Sequence, residues 1–213
     1  MATVLASLEE YPSVEDVDLL VIMGGPMDAD DEVASPWLRA EKHFIAAAIA
    51  AGHPVLGVCL GAQILAEVLG GTVLRMEYPE IGWYPVQRTP EGGDEPFFSA
   101  WNEPSVVGQW HGDTFELPAG IEPALSSEAC RNQAFVFDGR VVGLQFHLEW
   151  TEQALADLVA ECSGDLVGGG PYVMTAEQIA QGARLGIPAG AERLFALLDA
   201  LAGIETGQQG AGA

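Results

Sequence analysis

Lysine is almost absent from this chain. Among 213 residues Lys42 stands alone, and lysine and arginine together number 8 against 31 aspartates and glutamates. A net charge of −23 repels other polyanions, which excludes a surface for nucleic acid or for anionic membrane. Cysteine is scarce as well. Cys59, Cys130 and Cys162 are an odd number at no metal-like spacing, which excludes a disulfide framework and a zinc cluster and fits a reducing cytoplasm. Long apolar runs are missing, and none approaches the roughly 20 residues of a membrane span. The first ten residues lack the basic start and the long apolar stretch of a secretory signal, so a cytoplasmic location is expected. The acids are scattered, as in Asp28-Ala29-Asp30-Asp31-Glu32, and form no tail. With so few lysines, this balance favours adaptation to high salt, where screening relieves self-repulsion, over an ordinary acidic protein.

What is present is a soluble core. Apolar residues make up 49% of the chain, enough for one α/β domain, expected over residues 1–205, with a disordered tail at 206–213. Residues 17–23 read as a strand. A helix over 36–51 has Pro36 near its first turn and Gly52 past its end. Further strands are predicted at 72–76, 84–88, 105–110, 135–137 and 141–146, with Asp138-Gly139 turning the last two into a hairpin. Thr151 caps a following helix, and 176–185 and 189–202 read as helices. Strand–helix alternation followed by a strand cluster implies an open, mostly parallel sheet flanked by helices, with an antiparallel extension.

The most informative stretch is Gly57-Val58-Cys59-Leu60-Gly61-Ala62-Gln63. It follows the apolar run Pro54-Val55-Leu56 and precedes Ile64, Leu65, Val68 and Leu69 at helical spacing, so it reads as buried strand, sharp turn and helix. Small residues two before and two after the cysteine give the nucleophile-elbow pattern, with Cys in place of Ser. Cys59 then stands at a helix N-terminus, where the positive end of the dipole favours a thiolate.

A nucleophilic cysteine needs a base, and the chain has four histidines. His43 lies in a charged helical pattern and reads as solvated. His53 lies in a loop between Gly52 and Pro54. His111 is either a wall of a site or a structural hydrogen-bonding residue. His147 ends the apolar run Val141-Val142-Gly143-Leu144-Gln145-Phe146, and Glu149 lies two residues on, on the same side of an extended chain. A carboxylate there would fix the imidazole tautomer and stabilise its protonated form. The strand at 17–23 ends in Gly24-Gly25-Pro26, a turn able to offer backbone N–H groups to an anion together with the amide of Leu60.

These segments resemble the class I (triad) glutamine amidotransferases, in a stand-alone branch similar to the amidotransferase domain of GMP synthase. Gly57 to Gln63 carries the likeness to the nucleophile motif, Gln145-Phe146-His147-Leu148-Glu149 to the His-x-Glu motif, and Met23-Gly24-Gly25-Pro26 to the oxyanion strand. Glu80-Ile81-Gly82-Trp83, Gln109-Trp110-His111-Gly112-Asp113-Thr114-Phe115 and Ser126-Ser127-Glu128-Ala129-Cys130-Arg131-Asn132-Gln133-Ala134-Phe135 are similar to that branch. The resemblance implies a flavodoxin-like fold and a Cys59, His147, Glu149 triad. It also implies an oxyanion hole of Gly25 and Leu60 amides, and recognition of the substrate's amino-acid end by Gln63 and the backbone near Gln109 and Trp110. Cys59 would attack the γ-amide of glutamine, forming a γ-glutamyl thioester and ammonia, with no cofactor and no metal.

The chain departs from the family in three places. Leu148 replaces a common Pro. No synthetase region follows, so a separate ammonia acceptor is implied. Only about 15 residues precede the strand at 18–23, too few for the strand–helix–strand opening. The family's first strand and helix are therefore expected to be missing, through truncation or through real loss. A free-standing γ-glutamyl peptidase or hydrolase acting on another γ-glutamyl amide, and a non-catalytic regulatory protein of the same fold, are the alternative functions.

Overall fold

All four residues of β2 (Val55–Val58) are buried. Its alternate side chains enter different cores. Leu56 and Val58 pack with Val142, Leu144, Leu197 and Leu201. Val55 packs with Leu38, Ile45, Ile64 and Leu65 on the opposite face. A strand covered by helices on both faces reads as an unbroken apolar run, and this one does. The structure, a computed structural model, describes residues 3–8, 10–92 and 95–203. The tail expected at 206–213 lies outside the described residues.

β1 (Leu20–Ile22) pairs with β2 in parallel, and β2 pairs in parallel with β7 (Val141–Leu144). Beyond β7 the sheet turns antiparallel through β6 (Ala134–Phe137), β5 (Pro123–Ser126), β3 (Thr72–Arg88) and β4 (Ser105–Glu116). The seven strands lie in the order β1-β2-β7-β6-β5-β3-β4. The sheet thus has the expected parallel portion and an antiparallel extension that supplies most of its pairings. Among the described residues β1 is an edge strand, preceded only by 3-10 turns at Ala6–Leu8 and Val14–Asp16. No strand precedes β1 among the described residues.

Helices α1 (Leu38–Ala50) and α2 (Leu60–Val68) cover one face. α3 (Glu152–Glu161) and α4 (Ala176–Leu201) follow β7, and the α3 N-terminus is capped by the Thr151 side chain as expected. The Asp138-Gly139 turn is present with φ values of 51° and 65°, the left-handed pair that a tight hairpin of this hand requires.

The long elements exceed their sequence-based bounds. The strands predicted at 72–76 and 84–88 are one strand. It is interrupted by a register shift between Arg75 and Glu80, where Pro79 has no N–H for the ladder. The strand predicted at 105–110 runs on to Glu116, and β5 carries no sequence signal strong enough to predict it. The two C-terminal helices are one, with Pro188 inside. Proline removes one helical hydrogen bond. Packing overrides it: the Trp83 indole Nε1 donates to the Ile179 carbonyl at 2.8 Å, and the Trp83 ring fills the space a side chain would need at Gly182 and Gly186.

Candidate active site

Three parallel strands end side by side, and each delivers one part of the site. β2 leads directly into Cys59, whose backbone has φ 52° and ψ −110°. Positive φ is costly for a residue with a side chain and persists only where the surroundings impose it. Here the Cys59 N–H continues the ladder to the Leu144 carbonyl at 2.7 Å, while its own carbonyl accepts the N–H groups of Ala62 and Gln63 and starts α2. The chain must turn from strand to helix within one residue. Side chains at the flanks would block the turn: a Cβ on Gly57 would stand 2.6 Å from the Gly61 carbonyl oxygen, and one on Gly61 would stand 2.2 Å from that of Ile22.

β7 leads through Gln145 and Phe146 to His147. Backbone bonds between His147 and Gly108 of β4 hold that residue, with N···O distances of 2.8 and 3.3 Å. Its ring stacks on Trp150 at 4.8 Å between centroids. His147 Nδ1 donates to Glu149 Oε1 at 2.6 Å, and the Leu148 N–H donates to Glu149 Oε2 at 2.9 Å. The Leu148 side chain itself points into the core.

Gly24, two residues past the end of β1, lies between the other two parts. A Cβ there would meet Cys59 Cβ at 3.3 Å and His147 Cε1 at 3.4 Å. Gly25 follows, and a Cβ on it would reach Leu60 Cδ2 at 3.0 Å. Leu60 is the first residue of α2, so its N–H has no acceptor within the helix.

Burial, the strongest single influence on His147, disfavours its charged form, but the Glu149 carboxylate and the neighbouring Cys59 outweigh it and push its pKa up to about 10. Burial likewise raises Glu149, and the positive charge of His147 with the hydrogen bonds to its carboxylate overcomes this and lowers it. The pair is therefore built to hold an imidazolium against a carboxylate beside the thiol.

The remaining wall comes from β4. The Trp110 carbonyl lies 3.9 Å from Cys59 Sγ, while the Trp110 indole turns away to donate to Asp165. Gln63 Nε2 donates to Gln145 Oε1 at 3.2 Å and to the Asp113 carbonyl at 3.5 Å. The Gln109 amide is fully buried, and both of its polar atoms lack a partner among the described residues. His43 is exposed and His53 half-buried, both away from the thiol, whereas His111 is buried in β4. Sequence reasoning passed over Trp150, although it directly follows Glu149, and gave no role to Glu80, Ser127 or Gln133. Among the described residues no cluster of three potential metal ligands occurs.

Known proteins share this arrangement of strands. At 34% identity over 158 residues, the chain matches a glutamine amidotransferase-like protein, YfeJ, of Salmonella typhimurium, across 73% of this chain and 66% of that protein, just under two thirds of its length. It is 32% identical over 170 residues to one of the subunits of the glutamine-hydrolysing GMP synthase of Natronomonas pharaonis, covering 76% of this chain and 85% of that one. A crystal structure of a glutamine amidotransferase from Thermotoga maritima superposes with a TM-score of 0.80 at 34% identity, over 91% of this chain and 81% of that one. With the family model described as "Glutamine amidotransferase class-I" matching residues 3–162, this chain belongs to the class-I glutamine amidotransferase family.

Proposed function

We propose that this chain hydrolyses the side-chain amide of glutamine through a cysteine thioester, with Cys59, His147 and Glu149 as its catalytic residues. The observation that carries the reading is Cys59 held at positive φ at the end of β2, with His147 on the adjoining strand end and Glu149 bonded to it at 2.6 Å. With its proton already on His147, the Cys59 sulfur attacks the amide carbon. The resulting oxyanion is stabilised by the Gly25 and Leu60 N–H groups. His147 returns the proton to the departing nitrogen, so the C–N bond breaks, ammonia leaves and a γ-glutamyl thioester remains. Water then attacks the thioester carbon, giving a proton to His147. The C–S bond breaks, glutamate leaves, and the proton remains on His147 beside the sulfur. Throughout, Glu149 keeps the imidazole oriented and favours its charged state.

The Gln63 side chain and the backbone of residues 109–110 form the wall against which the amino-acid end of the substrate is read. The Natronomonas relative is named as one part of a glutamine-hydrolysing synthase. For this chain we likewise assign the ammonia to a separate acceptor protein. The test is ammonia release from glutamine and from a panel of γ-glutamyl amides, with a trapped thioester sought by mass spectrometry. Glutamine is expected to be the preferred amide and to acylate Cys59. Equal release by wild type and Cys59→Ala would overturn the mechanism, and preference for a substituted γ-glutamyl amide would move the chain to the hydrolase reading.

A further inference from the structure

Side chains from three sequence segments converge on one buried carboxylate. Glu80 of β3 lies opposite His111 of β4 in the strand register. Glu80 Oε2 accepts hydrogen bonds from Gln133 Nε2 at 2.6 Å and from the Ser127 hydroxyl at 3.1 Å, and it lies 3.3 Å from His111 Nε2. The side chains of Glu80 and His111 are each 1% exposed. The other ring nitrogen, His111 Nδ1, lies 2.8 Å from the Asp113 carbonyl oxygen. A carbonyl only accepts, so Nδ1 carries a hydrogen. The contact at Nε2 then requires a second hydrogen between nitrogen and carboxylate, since two bare acceptors would repel.

The place of this pair in the strand ladder is informative. Between Arg75↔Asp113 and Glu80↔His111, four residues of β3 (76–79) face a single residue of β4 (112). Backbone pairing is therefore interrupted at the part of β4 that meets the candidate site. There the Asp113 carbonyl accepts Gln63 Nε2, and the Trp110 carbonyl approaches Cys59 Sγ. The side-chain chain from Gln133 and Ser127 through Glu80 and His111 to the Asp113 carbonyl spans the interruption.

We propose that Glu80 and His111 are a positioning pair: they replace the broken ladder and hold residues 109–113 of β4 in place against Cys59 and Gln63, fixing the wall that reads the amino-acid end of the substrate. The proposal rests on the glutamine-hydrolysis reading. Neither residue touches the reacting atoms.

The pair is tested with Glu80→Gln, His111→Gln, the double variant and the milder Ser127→Ala. Losing one buried bond of the pair is expected to raise KM for glutamine about tenfold or more in each single variant of the pair, with kcat within about threefold. Ser127→Ala is expected to raise KM about threefold. Because the two residues act as one unit, the double variant is expected to be no worse than the poorer single. Alkylation of Cys59 by a chloroketone analogue of glutamine should slow in parallel, while iodoacetamide, which needs no wall, should react at the wild-type rate. In wild type, 15N NMR should show His111 Nδ1 protonated and Nε2 in a hydrogen bond to carboxylate. This readout needs no turnover, so it stands apart from any failure of the glutamine reading. Unchanged KM in folded Glu80→Gln and His111→Gln, or equal slowing by both alkylating agents, would overturn the proposal. If those variants do not fold, unchanged KM in Ser127→Ala does so.

Discussion

Among the described residues two His–Glu pairs stand out, one half-buried and one fully buried, and they are built in opposite ways. His147 and Glu149 are two residues apart at the end of a parallel strand, bonded at 2.6 Å and open to Cys59. His111 and Glu80 are 31 residues apart on antiparallel strands, 3.3 Å from one another, and closed off by Ser127 and Gln133. The first pair belongs to the parallel part of the sheet, where strand ends align and a local motif suffices to aim a side chain. The second belongs to the extension, where the ladder is broken and side chains complete it. In the proposed reading the same two residue types serve reactivity in one place and shape in the other, and what differs is the neighbour. One imidazole faces a thiol, whereas the other faces a backbone carbonyl.

Substitutions can test this contrast. Removing the nucleophile should have the largest effect: Cys59→Ala is expected to lower ammonia release by about 10⁴-fold or more, measured as kcat with glutamine. Glu149→Gln leaves a hydrogen-bonding side chain but no charge, and is expected to cost less, about 10²- to 10⁴-fold in kcat. If Glu149→Gln moved only KM, the two pairs would not differ in kind.

Crowding the parallel half is expected to affect stability and activity separately. In Gly61→Ala the new methyl meets backbone at 2.2 Å, so a loss of about 3 kcal/mol or more is expected in chemical denaturation. In Gly24→Ala the contacts are 3.3 and 3.4 Å, to Cys59 and His147, so the fold should survive while kcat falls.

Proton linkage sharpens the contrast further. The pKa of His147 is raised from its ordinary 6.5 to about 10, so its protonation stabilises the folded state. That contribution is complete below about 6.5 and is lost as the pH rises through about 10. Denaturation measured from pH 6 to 10 should show stability falling across this window. Because Cys59 is among the causes that raise the value, Cys59→Ala should shrink the effect. The smallest effect expected is that of salt. Lys42, the single lysine, is held between Glu32 and Glu67 at 3.0 Å each, so most of the 31 acids have no lysine to answer them. Screening should therefore raise Tm gradually toward molar KCl. A flat or falling Tm would argue against adaptation to high salt.

Much of the parallel half was legible because its signals are local. The apolar run before Cys59, the glycines on either side of it, and the two-residue spacing of His147 and Glu149 each imply a conformation without reference to distant residues. The extension was less legible. β5 is short and lies between a hairpin and a long strand, and no periodicity distinguishes it. Strand β3 looked like two because Pro79 breaks the ladder, and α4 looked like two because of Pro188. Pairing with β4 makes β3 continuous, and packing on Trp83 supports α4 as one helix.

The sequence by itself determined the elbow, the candidate base and its carboxylate, the glycine turn after β1 and the family, because each is encoded within a few consecutive residues whose backbone options are narrow. Only the tertiary structure decided that Gly24 lies between Cys59 and His147, that the Trp110 carbonyl and not its indole approaches the thiol, and that His111 joins Glu80, Ser127 and Gln133. Those contacts join residues tens of positions apart. They follow from strand order and register, which arise from burying the whole sheet at once and which no local stretch of the chain specifies.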